Sequence, residues 1–172
     1  MATTIAEAAP RRTKVSLAPE LFDRILAFAA VVLLAAVLTA LWKGRTEWGE
    51  VPPFVWAHIA TIVTAVTLTP VMLLRRRGDR LHRRLGWVWA SAMALTALFT
   101  FGIRGINAGS LSFIHILSAW TLIQVPLIVW HARNHNHRGH RNAVRGMVGG
   151  ALLIAGVFTF PFDRLLGHWL FG

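Results

Sequence analysis

The sequence predicts an all-α integral membrane protein with five transmembrane helices, of which spans two to five form a four-helix bundle core. Three observations carry this expectation. The 172-residue chain is 55% hydrophobic with a mean hydropathy of +0.55, a balance that soluble domains of this size rarely reach. Its apolar residues gather in runs long enough to cross a hydrocarbon core of about 30 Å as helices. Its Lys and Arg residues collect on alternate connections between those runs, as they do when short basic loops are held in the cytoplasm.

Taken in order, residues 1–20 are polar and mixed in charge and carry no signal or transit pattern. They are expected as a cytoplasmic tail, ahead of a single transmembrane domain over residues 21–172. Span one is the Ala/Leu/Val run at about 25–42, expected at the periphery of the bundle. Span two, about 51–74, follows Pro52 and Pro53, which suit a first helical turn because an amide hydrogen there has no partner anyway. Pro70 inside it is expected to kink its end. Span three is about 81–103 and span four about 111–130. Span five, about 144–160, is closed by Pro161 and Asp163. The short segment from Leu165 to Phe171 is expected along the outer interface.

Fourteen of the 18 basic residues lie in the tail and in the second-to-third and fourth-to-fifth loops, and four on the other side. The N-terminus is therefore expected in the cytoplasm and the C-terminus in the periplasm of a bacterial inner membrane. Trp42, Trp48, Trp56, Trp87, Trp89, Trp130 and Trp169 fall near span ends, where amphipathic rings sit well at headgroup level. The net charge of +11 belongs to this topology and argues for the lipid bilayer as partner, with no nucleic acid. The absence of Cys excludes disulfide scaffolds, iron–sulfur clusters and thiol nucleophiles. No His-Glu zinc motif, phosphate-binding glycine loop or nucleophile elbow is present, so hydrolytic chemistry has no support.

Histidine is the remaining site-forming residue. His58 and His115 lie one to two turns inside the outer ends of spans two and four, at similar depth. His82 and His140 open spans three and five on the inner side. One histidine on each of four consecutive spans, paired two-with-four and three-with-five, is an arrangement that clamps two haems in a helix bundle. With both axial positions filled, such iron passes electrons. Arg83, Arg84, Arg141 and Arg145 around the inner layer, and Arg104 near the outer one, can pair haem propionates. Gly86, Gly146, Gly149, Gly150 and Gly156 permit close approach of a flat ring or a backbone. Thr61, Ser112, Ser118 or a backbone carbonyl is expected to accept from the second imidazole nitrogen.

From about Val51 to Gly167 the chain resembles a family of small predicted bacterial membrane proteins, a domain of unknown function. The resemblance rests on Ala57-His58-Ile59, on the stretch from Leu81 to Trp87, on Ser112 to Leu117, on His140 with Met147, and on Pro161 to Arg164. The four-histidine topology is also similar to the two-haem cytochrome b561 type, differing in having five spans where six are usual. That resemblance implies His58, His82, His115 and His140 as ligands of haem b, one or two per chain, with a quinone or redox protein as partner.

Other readings of the same residues stay open. The histidines can cap polar gaps in a haem-free accessory or assembly subunit of a larger membrane complex. His131, His135 and His137, with His140, can hold a transition metal, since imidazole suits zinc, nickel and copper. His168 beside Trp169 reads as an interfacial anchor.

Overall fold

The computed structural model describes residues 18–103, 113–161 and 164–172, and among the described residues every regular element is helical. The expected tail up to residue 17, Arg104, Ser112 and Asp163 lie outside them. Helix α1 spans Leu21–Lys43 and passes into a 3-10 stretch, Gly44–Glu50. Pro52 caps α2 (Pro53–Leu74), so the proline pair begins the helix as the sequence suggests, and α2 continues past Pro70 as α-helix. Helix α3 spans Arg80–Gly102, and α4 spans Phe113–Arg133. These four are long and apolar enough to cross a membrane.

The expected fifth span differs. Helix α5 (His137–Met147) is polar and carries His137, Arg138, His140, Arg141 and Arg145. It continues without a break into a π-helical stretch, Val148–Ile154, and one last α turn, α6 (Ala155–Val157). Gly149 and Gly150 sit in the widened stretch, where a residue without a Cβ tolerates altered backbone geometry most easily. Helix α7 spans Leu165–Phe171.

Helix α1 packs on α2, α2 on α3, α3 on α4 and α4 on α5, while the π-helical stretch touches both α4 and α1. The buried cluster draws on all of them: Leu26 and Leu33 from α1, Val66 and Leu73 from α2, Trp89 and Met93 from α3, Ile128 from α4, and Met147 and Leu152 from the last rod. This revises the expectation of a peripheral first span. Asp23, Leu26, Ala27, Ala30, Leu33, Val37 and Ala40 form one buried stripe at helical spacing along α1. Gly156 makes room for it, since a Cβ there would meet Leu33 Cδ1 at 3.2 Å.

In lipid the exposed faces have no water to escape, so close packing rather than apolar burial holds such helices together. Buried Ala27, Ala30, Ala65, Ala90 and Ala97 serve that end, while Phe28, Val32, Leu98, Ile116 and Ile123 are exposed, as lipid-facing side chains would be. Trp89 departs from the expected role of interfacial anchor: it is buried, and its Nε1–H donates to Thr69 Oγ1 at 2.9 Å.

Candidate functional site

The first turns of α3 and α5, the ends expected on the inner side, bring His82 and His140 together. Asp79 caps α3 by accepting the backbone N–H of His82 at 2.5 Å, and Arg75 holds the same carboxylate at 2.7 Å. That guanidinium and the amide together keep the Asp79 carboxyl below the usual carboxylate range. Across the gap, Asn136 caps α5 by accepting the N–H of Gly139 at 2.9 Å, which sets the first turn that carries His140. His140 Nδ1 lies 3.1 Å from the Ile128 carbonyl. A carbonyl can only accept, so Nδ1 carries the hydrogen and Nε2 has its lone pair free for a ligand. A backbone carbonyl thus supplies the expected second hydrogen bond. The neutral ring is the form a metal requires.

The two rings lie with centroids 6.3 Å apart and planes at 72°. His82 Nδ1 is buried without a hydrogen-bond partner among the described residues. Both rings line a pocket of about 1040 Å³. Its apolar wall includes buried Leu73, Trp89, Ile128 and Val148, and it is also lined by Arg76, Arg77, Arg83, Arg133 and Arg141. Gly86, one turn along from His82, belongs to the same lining, so the bare backbone expected there does face the site.

The predicted arginines divide. Arg83 lines the pocket and donates to the Gly78 carbonyl at 2.7 Å. Arg141 lines it and pairs with Glu20 from the start of α1. Arg145 is drawn away, because α1 supplies two carboxylates: it donates to Asp23 at 2.8 Å and to Glu20 at 2.7 Å. Arg84 is exposed and is not part of the lining. Sequence reasoning missed Glu20 and Asp23 as partners of the site. An isolated acid in the first turn of an otherwise apolar run was the available signal.

The outer histidines are set differently. His58 Nδ1 lies 3.2 Å from the Thr96 carbonyl and 3.5 Å from Thr100 Oγ1. Thr96 in turn donates to Thr61 Oγ1 at 2.9 Å. His115 is buried, with its ring 5.6 Å from that of Phe101. Each therefore meets α3, one from α2 and the other from α4. Ser118 donates to the Ile114 carbonyl of its own helix.

In the last turn of α4, His131 Nδ1 lies 3.2 Å from Asn136 Nδ2, so it takes the amide hydrogen. His135, with a φ of 53°, and His137 reach the pocket lining. Among the described residues no three His, Asp or Glu side chains gather as a metal cage. His168 is exposed on α7, beside buried Trp169, whose indole N–H donates to Glu47 at 2.9 Å. No family model matches the chain, and neither a curated protein nor a solved structure matches it.

The donor set of the inner pocket suits haem. His82 and His140, with ring centroids 6.3 Å apart, are the imidazoles that would hold its iron. The volume falls in the range of cofactor pockets, and its combination of apolar wall and arginines suits a flat apolar body with acid groups.

Proposed function

We propose that the protein is a multi-pass b-type haem protein of the bacterial inner membrane that carries electrons, with His82 and His140 as the residues that would hold the haem iron. The observation that carries this reading is the 6.3 Å pairing of these two rings inside an arginine-lined pocket. Haem b held there would supply one-electron chemistry. The chain does the rest. The Ile128 carbonyl orients His140, the Asp79 cap fixes the turn that bears His82, and buried Trp89 and Ile128 keep water from the inner wall. The rod from α5 to α6 completes the bundle as a fifth crossing, with the N-terminus inside. His58 and His115 would hold a second haem on the outer side, and a quinol or redox protein would be the partner.

A reduced-minus-oxidised absorption spectrum of the detergent-purified protein, expressed with ample haem, tests the reading, with haem-to-protein stoichiometry measured alongside. The wild type is expected to show a redox-sensitive Soret band that His82→Ala and His140→Ala each diminish. A colourless wild type overturns the proposal in favour of a haem-free accessory subunit of a larger membrane complex.

A further inference from the structure

Two carboxylates at the start of α1 stand three residues apart and are held in opposite ways. Asp23 is 0% exposed, and receives Arg77 and Arg145, each at 2.8 Å. It also accepts the backbone N–H of Glu20 at 2.9 Å, which ties the helix start to it. The Glu20 side chain is 45% exposed and reaches over to Arg141 and Arg145. Arg141 and Arg77 belong to the wall of the histidine pocket as well. That pocket is lined by five arginines and one acid, Asp79, which Arg75 already holds. Around α1, among the described residues, the guanidiniums of Arg77, Arg141 and Arg145 share the carboxylates of Glu20 and Asp23. Arg133 stands over the Trp87 ring at 5.6 Å, and Arg83 bonds a backbone carbonyl. The wall therefore carries more guanidinium than carboxylate, beside an apolar surface.

We propose that the pocket selects a ligand with two acid groups on an apolar body, and that Glu20 is the internal carboxylate that one of those acid groups displaces from Arg141. The inference rests on the haem reading, since the haem b macrocycle bears two propionates. Glu20 is the exchangeable partner because it is half in water and can return there at little cost, whereas moving Asp23 would strand two guanidiniums. With Asp23 anchoring α1, the swap at Arg141 leaves the helix in place. Glu20 is then a specificity residue: it keeps Arg141 charge-balanced until an acid-bearing ligand arrives, and a neutral ligand cannot compensate for it.

The test compares haem b with haem b dimethyl ester, in which both propionates are blocked, on the full-length detergent-purified chain. Binding is followed by the Soret band and by the rate of loss to a high-affinity haem acceptor. The diester is expected to leave the wild type about tenfold faster than haem b, in keeping with the loss of charge-assisted pairs. Glu20→Gln and Glu20→Ser, the latter keeping a helix-capping side chain, are expected to slow the loss of haem b about threefold and to leave the diester rate unchanged. Equal loss rates for the two haems, or faster loss of haem b from both Glu20 variants, overturns the proposal while the haem reading stands. A wild type that forms a histidine-ligated spectrum with neither haem overturns the haem reading and this inference with it.

Discussion

His82 and His140 occupy first turns of helices, whereas His58 and His115 sit within long apolar ones, and the two layers are stabilised by different means. The inner rings are placed by helix caps, Asp79 and Asn136, and by a carbonyl from a neighbouring helix. The outer rings are placed by α3, which offers His58 a carbonyl and a hydroxyl and His115 an aromatic face. Charge separates the layers further, since the inner pocket is ringed by guanidiniums, while the His58 ring meets the Thr96 carbonyl and the Thr100 hydroxyl, and Thr61 bonds the His58 backbone carbonyl. A helix end can bear arginines because their heads reach water or headgroups, whereas mid-span polarity has to be met by neutral groups. The inner layer is thus set among guanidiniums and the outer one among neutral polar groups.

The sharpest way to break this comparison is to delete one layer at a time. His140→Ala is expected to remove the inner haem completely and leave the outer one. His115→Ala is expected to do the reverse, with haem-to-protein stoichiometry reading both. If the two variants lose the same spectral component, the layers are not independent sites.

The next largest effect concerns the anchoring of the inner layer alone. Asp23→Asn leaves Arg77 and Arg145 buried against a neutral amide, which costs about 3 kcal/mol by the usual penalty for breaking a buried pair. A fall in the apparent melting temperature of the haem-free protein, well beyond that caused by Glu20→Gln, is the expected measurement.

Acid acts more gently, at the cap of α3. The Asp79 carboxyl has its pKa lowered from 3.8 in the folded chain, by the Arg75 guanidinium first and then by the His82 amide. Its contribution to stability is present above the unfolded value and is lost as the pH falls through the lower folded one. Thermal unfolding at about pH 7 and at acid pH should show this loss in the wild type and a smaller loss in Asp79→Asn.

The smallest effect lies between the layers. Trp89→Phe removes the indole N–H from Thr69 Oγ1, which also bonds the Ala65 carbonyl. The loss is about 1 kcal/mol, read as a small drop in melting temperature with haem stoichiometry unchanged.

Much of the architecture could be read from the chain because lipid imposes a simple rule: a backbone without water must pair with itself, so apolar runs of sufficient length become helices. The runs behind α1 to α4 obeyed it within a few residues. The proline start of α2 and the depth pairing of His82 with His140 were legible for equally local reasons. The role of α1 was not, since a stripe that packs on neighbours and a stripe that faces lipid are both apolar in a membrane. Ala27 and Ala30 look the same in either place. The π-helical winding of Val148–Ile154 was hidden as well, because hydrophobic runs do not distinguish a wider helix from an ordinary one.

By itself the sequence determined the helical class, the apolar spans and which residue types could form a site. Each follows from local composition and the bilayer's demand for internal hydrogen bonds. Only the tertiary structure decided partnership: that Arg145 answers to Asp23, 122 residues away in the chain, that the Ile128 carbonyl holds His140, and that α1 belongs to the core. Charges and carbonyls find their partners through space, and spacing along one helix does not say which other helix will stand beside it.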